Sequence, residues 1–224
     1  MIVNSQTLSS RSLNHTGLKA VSASHIGRLA SKGDCIIGET TIDKIRHGAR
    51  VPIKAYIVKG ANFSDYHLID NKNNKLGFTV LHFYRQGEEK VYGVDYKYER
   101  FPGAVYVERM ESLCDDCRGI GSVLHEVAVR IARQEGYEGR VLLDAEKSSH
   151  IFHYKFGFRS MGEKYYLKDE AIENEIERAQ KRVRRGIILS TKEYDTSHLG
   201  PISMYLPEDI ISEILSKAQI DLYE

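Results

Sequence analysis

An excess of either charge is what this sequence most plainly lacks: 32 basic residues stand against 31 acidic ones, a formal +1. Net charge alone therefore gives no long-range field that would gather nucleic acid or an anionic membrane. Long apolar runs are missing too, and no stretch approaches the roughly 20 residues of a membrane-spanning helix. The opening MIVNSQTLSSRSLNH has no apolar core of the secretory-signal kind. Cysteine is scarce, with Cys35, Cys114 and Cys117 only. An odd, small count does not read as a disulfide framework and fits a reducing, cytoplasmic compartment. Cys114-x-x-Cys117 has no second Cys or His pair nearby to complete a zinc site, so no metal is expected.

What is present suits a soluble domain with appendages: 224 residues, 42% hydrophobic and 28% charged. Residues 1–15 are polar and aperiodic and read as a mobile tail. The main domain is expected over 16–207, with a helical insertion at about 162–200 and a closing amphipathic helix over 208–224. Leu18, Val21, Ile26 and Leu29, followed by Ile42 and Ile45, suggest one or two short helices within 16–48. From residue 51 the texture becomes strand-like. VPIKAYIVKG, YHLID, KLGFTVLHFYR, KVYGVDYKYE and AVYVERMESL follow one another without helices between them, which predicts an antiparallel meander.

The period then switches. Ile120, Val123, Leu124, Val127, Ala128 and Ile131 trace one face of a helix over 119–135, with Gly136 as its stop. RVLLDAE reads as a buried strand over 140–146. SSHIFHYKFGF reads as a short helix over 148–156, with Ser148 or Ser149 near its N-cap and Gly157 at its end. Residues 168–185 order acids before bases, as suits a helix dipole, and ISMYLP supplies a late strand. The fold class is α/β (α+β): a mixed, mostly antiparallel sheet with a central helix on one face.

The turn that opens this central helix has the makings of an anion site. Gly119 and Gly121 let backbone approach a phosphate closely. The first amides of the helix lack internal partners, the positive end of its dipole points the same way, and Arg118 adds a charge-assisted donor. A close helix–strand packing turn would leave the same glycine pattern. In its context, the run Asp116-Cys117-Arg118-Gly119-Ile120-Gly121, with Phe152-His153-Tyr154-Lys155-Phe156-Gly157-Phe158 downstream, resembles the GNAT superfamily of N-acetyltransferases over roughly residues 55–160. The resemblance implies acetyl-CoA as cosubstrate. Its pyrophosphate would be held by Cys117, Arg118, Gly119, Ile120, Gly121 and Ser122, and its pantetheine would lie between the strands flanking the helix, beside Met110 and Ser112. Two departures stand out: Asp116 occupies a position where the family usually has Arg or Gln, and His153 one where Tyr is common.

Acyl transfer to an amine needs a group to take the amine proton and one to serve the departing thiolate. Glu111 is favoured over Glu108 for the first, being nearer the turn. His153 is favoured over Tyr154 for the second; the two are rotated by about 100° on a helix, so one of them at most faces the sulfur. The backbone amides of Met110 to Ser112 are placed to receive the developing oxyanion. The expected reaction moves acetyl from acetyl-CoA to a primary amine: a small amine, a polyamine or a protein amine. A catalytically degenerate acyl-CoA-binding module is the rival kept alive by Asp116. An acetyltransferase of aminoacyl-tRNA is a further rival, which the near-neutral charge disfavours. Lys181-Arg182-Val183-Arg184-Arg185, the one dense basic run, reads as a solvated helix end. A dimer is compatible with the sequence. The decorations outside the core resemble additions carried by GNAT-like proteins of intracellular bacteria, which implies delivery to a host cell as a second expectation beside the cytoplasm.

Overall fold

The computed structural model describes residues 18, 19, 35–60, 62, 64–84, 103–161 and 165–217. Among them nine strands form one sheet. They are β1 (Cys35–Arg46), β2 (Ala49–Lys59), β3 (Asp65–Asp70), β4 (Lys75–Tyr84), β5 (Ala104–Ser112), β6 (Cys117–Arg118), β7 (Val141–Ala145), β8 (Arg159–Ser160) and β9 (Ile202–Tyr205). The helices are α1 (Ile120–Gln134), α2 (His150–Phe156), α3 (Tyr165–Arg184) and α4 (Glu208–Ser216). The sheet order is β6-β1-β2-β3-β4-β5-β7-β9-β8, antiparallel throughout except for β5 beside β7. No helix among the described residues is long and apolar enough to cross a membrane.

The β3–β4 hairpin shows how local chemistry sets the register. The Asp70 carboxylate accepts hydrogen bonds from the amides of Lys72 and Asn74 and from the Asn74 side chain, while Asn73 takes a positive φ of 63°. A parallel pair needs a crossover, and α1 supplies it between β5 and β7. The six residues expected to form its inner face, Ile120, Val123, Leu124, Val127, Ala128 and Ile131, are all buried against the sheet. Gly136 follows the helix with φ +83°, and Ile211 and Ile214 of α4 close the core.

Two expectations change. Where Ile42 and Ile45 had suggested a helix, the described part of 16–48 holds strand β1: it runs antiparallel to β2 over its full length and to β6 near Asp43 and Lys44. Leu18 is fully buried, its amide donating to the Glu126 carboxylate, and Lys19 bridges to Glu39. The chain is therefore docked onto α1 from just beyond the expected tail. Glu126 is itself buried and held by Arg130 at 2.7 Å, one turn further along α1. Helix α3 starts at Tyr165 and has bases in its last turn but no acids in its first; Ile172, Glu175 and Ala179 form its buried side. Residues 1–15, Val21, Ile26, Leu29, the strand expected at KVYGVDYKYE and the end of the last helix lie outside the described residues.

Candidate functional site

Strands β5 and β7 pair only from Val105 to Val107 against Val141 to Leu143. Beyond that they part. β5 continues to Ser112 beside β4 alone, and β7 continues to Ala145 beside β9. The parting begins at a bulge: Val80 faces Arg109 and Leu81 faces Val107, which leaves Glu108 as the extra residue. Leu113 N–H donates to Leu76 C=O, and the Arg109 carbonyl accepts from the Thr79 hydroxyl on the β4 side. By the two-residue alternation of an antiparallel ladder, the backbone groups of Arg109, Glu111 and Leu113 turn toward β4. Those of Met110 and Ser112 turn into the gap. The main-chain groups expected at the site thus form a strand edge at the mouth of the splay that no other described strand pairs with.

Helix α1 begins at the same mouth. Its N-cap is Gly119, with φ +93°, a left-handed conformation that favours glycine, and no side chain caps the helix. The first intrahelical bond is Val123 N–H to Gly119 C=O, so the amides of Ile120, Gly121 and Ser122 have no partner within the helix. The side chain of Ile120 goes into the core, where a Cβ on Gly77 would lie 2.6 Å from it.

The turn before Gly119 is braced. Cys114 and Cys117 are joined by a disulfide, although three cysteines do not read as a disulfide framework. Sulfurs bonded to each other are not thiolate ligands, so the cluster of Cys114, Asp116 and Cys117 does not offer a zinc set. Asp116 turns toward β1: its carboxylate meets Lys44 at 3.3 Å, and its carbonyl accepts from Ile45 N–H. The unusual acid in the motif therefore anchors the turn. The Arg118 guanidinium donates to the carbonyls of Asp115 and Cys117 at 2.7 and 2.9 Å. Lys192, from the 162–200 insertion, joins this corner. Its ammonium is held below the ordinary lysine range by burial and then by the Arg118 charge.

The catalytic candidates divide. Glu111 accepts two hydrogen bonds from Arg109, at 3.0 and 2.6 Å, and stays half-exposed; the Arg109 guanidinium lies 5.3 Å from the Phe78 ring centre. Glu108 at the bulge pairs with His82 of β4. His153 is buried, its Nδ1 3.0 Å from His125 Nε2. Burial, and then the nearby His150, push its pKa down to about 3. It is therefore neutral at pH 7: an imidazole that donates through one N–H, and no charged acid. Tyr154 faces elsewhere. Its hydroxyl donates to Glu173 of α3, and its ring lies under Arg159. Burial and that carboxylate raise its pKa.

Two residues were not expected at the site. Asp144 follows the last β7 residue paired with β5 and sits across from the bulge. Tyr106 O–H donates to its Oδ2 at 3.1 Å, while Oδ1 is buried without a partner among the described residues. A lone acid in the apolar run VLLDA was the available signal. Lys192 had none, since 36 residues separate it from α2 in sequence and only the fold joins them: Lys155 of α2 donates to the neighbouring Thr191. No family model matches the chain, and no curated protein matches it.

Proposed function

We propose that the chain is an acyltransferase that moves an acetyl group from acetyl-CoA to a primary amine. The observation that carries this reading is the parting of β5 and β7 at the Glu108 bulge, with the uncapped amino end of α1 at its mouth. A fully paired sheet leaves no strand edge between its central strands; here Met110 and Ser112 offer one. Three amides without a partner in the helix and the helix dipole lie beside it, suited to a pyrophosphate. Acetyl-CoA brings the activated thioester. The GNAT resemblance of the turn and of α2 agrees with this placement.

In the reaction the amine nitrogen bonds to the acyl carbon, and the carbon–sulfur bond breaks with its electron pair going to sulfur. One proton leaves nitrogen and one is gained by sulfur, so the exchange is balanced. Glu111, Glu108 and Asp144 are the carboxylates near the splay that can take the amine proton. Glu111 does so only on loosening from Arg109, whereas the unpartnered Oδ1 of Asp144 has no such contact to break. His153, being neutral, supports the departing sulfur as an N–H donor. The engagement of Glu111 by Arg109 favours the second reading, an acyl-CoA-binding module without turnover. Incubation with acetyl-CoA and a panel of amines, polyamines and peptides decides between them. Thiol release that depends on an acceptor supports the enzyme. Stoichiometric binding without release supports the module, and no binding at all overturns both.

A further inference from the structure

Between α1 and α2 two imidazoles meet edge to edge. His125 is fully buried, stacked on Phe152 with ring centres 5.5 Å apart and packed against Phe156 and Phe158 at 4.6 and 4.8 Å. Its Nε2 lies 3.0 Å from His153 Nδ1. Its other nitrogen, Nδ1, is buried with no partner among the described residues. The next titratable neighbour, His150, has both ring nitrogens engaged, by the Thr196 hydroxyl and the Gly200 carbonyl.

One hydrogen bond between two neutral imidazoles can run in either direction, and each direction fixes both tautomers. If His153 Nδ1–H donated, the His125 proton would sit on Nδ1, a buried N–H among phenylalanine rings with no acceptor. If His125 Nε2–H donates, the orphan is a bare lone pair. Buried N–H groups without acceptors are the rarer of the two in folded proteins, and a desolvated donor costs about 1–3 kcal/mol. Among the described residues no acceptor reaches His125 Nδ1 to rescue the first arrangement.

We propose that His125 is a positioning residue: its Nε2–H donates to His153 Nδ1 and locks His153 as the Nε2–H tautomer. His153 then presents a donor, and not a lone pair, at the nitrogen facing away from His125. The hydrogen-bond donor that the departing thiolate needs is set by a residue one helix away. The functional meaning rests on the acyl-transfer reading; the tautomer itself does not.

The test is the ring-nitrogen spectrum of the full-length protein labelled with ¹⁵N-histidine at pH 7, with His153 assigned by its loss in His153→Gln. The expected result is a protonated Nε2 and an unprotonated Nδ1 on His153. In His125→Phe the lock is gone, and His153 shows averaged ring signals. In His125→Gln, whose side-chain amide can donate from the same place, the fixed tautomer returns. Turnover follows the same order: His125→Phe lowers kcat by about tenfold or more, as removal of a partner that orients an imidazole does, with acetyl-CoA affinity unchanged, and His125→Gln recovers part of it. A protonated His153 Nδ1 in the unaltered protein overturns the proposal whether or not the His125 variants fold, and so does an unchanged fixed tautomer in His125→Phe. The expected tautomers in a protein with no turnover would sink acyl transfer and leave the lock standing.

Discussion

The ring of Phe152 fills the space that Gly121 leaves open on α1: a Cβ at Gly121 would lie 2.5 Å from the Phe152 ring edge. The glycine therefore serves two ends. It admits α2 against the start of α1, and it leaves a bare amide at the mouth of the splay. Gly121→Asp is expected to abolish acetyl-CoA binding by bulk and by a like charge beside a pyrophosphate. Gly121→Ala separates the two roles. It should cost about 1–3 kcal/mol by overpacking, and Phe152→Leu in the same chain should return most of that. Calorimetry should show 1:1 binding in the unaltered protein and in the Gly121→Ala, Phe152→Leu double variant. Unchanged affinity in a folded Gly121→Asp protein would refute the site.

The cysteines give a countable prediction. With Cys114 bonded to Cys117, the sequence has one further cysteine, Cys35. Protein purified without reductant and then denatured should take up one equivalent of a thiol label, rising to three after reduction by a dithiol. Three equivalents before reduction, or stoichiometric zinc by elemental analysis, would show that the turn is built otherwise.

Truncation should have a sharp edge. Removal of residues 1–15 is expected to shift Tm by less than about 4 °C, where about 1 kcal/mol corresponds to roughly 2–4 °C in a domain of this size. Removal of residues 1–19 takes away buried Leu18, its bond to Glu126 and the bridge from Lys19 to Glu39. Leu18→Ala alone should cost about 2–5 kcal/mol. Equal melting temperatures for the two truncations would mean that Leu18 does not dock.

Much of this was legible because the period of the sequence matches that of the element. α1 places apolar residues on one face, and β5 keeps its β-branched run next to the glycine turn, so strand, turn and helix could be read in order. β1 failed for the opposite reason. Its alternating inward positions Gly38, Thr40 and Ile42 are all buried, yet only one is apolar, and a bulge sets buried Ile37 out of that alternation, so the two-residue period is hidden and Ile42 with Ile45 mimics a helix spacing. At the site, backbone roles were readable from glycines, since a glycine is a local statement about φ and space. Asp144, Lys192 and His125 were not, because each matters through a partner far away in sequence. The direction in which His153 points depends on which neighbour buries it, and spacing along α2 does not contain that.

Acid should weaken the fold through the buried imidazoles. Burial holds His125 well below the ordinary imidazole range, and His153 near 3. A group whose folded pKa is depressed binds fewer protons folded than unfolded. Its stabilising contribution is therefore whole above the unfolded value of about 6.5 and is lost as pH falls below it. Each ring should add to the decline a slope that approaches about 1.4 kcal/mol per pH unit well below the unfolded value. Urea unfolding between pH 7 and 5.5, above the range where carboxylates titrate, reads the slope directly. His125→Gln should roughly halve it. A flat profile over that interval would mean that the rings protonate in the folded protein.

The last prediction concerns the two neighbours on α2. His153 is turned inward to His125, and Tyr154 is turned outward to Glu173 and Arg159. His153→Ala is therefore expected to lower turnover by at least about tenfold, within the range for loss of a group that serves proton transfer. Acetyl-CoA affinity should change little, as for an interaction made mainly in the transition state. His153→Gln keeps an N–H donor and should retain more of the rate; His153→Tyr must crowd the packed rings of His125 and Phe158, so any return of rate will come with a lower Tm. Tyr154→Phe removes a hydrogen bond to an exposed carboxylate on another helix and should leave kcat within about threefold, since such a contact is worth about 0.5–1.5 kcal/mol to the fold and nothing to the reacting atoms. The comparison is made on kcat at saturating acetyl-CoA, with each variant first matched for Tm. A severe Tyr154→Phe beside a mild His153→Ala would reverse the assignment along α2. If both were mild, the departing sulfur would take its proton from solvent, and the cofactor cradle at Gly119 to Ser122 would stand without a side-chain donor.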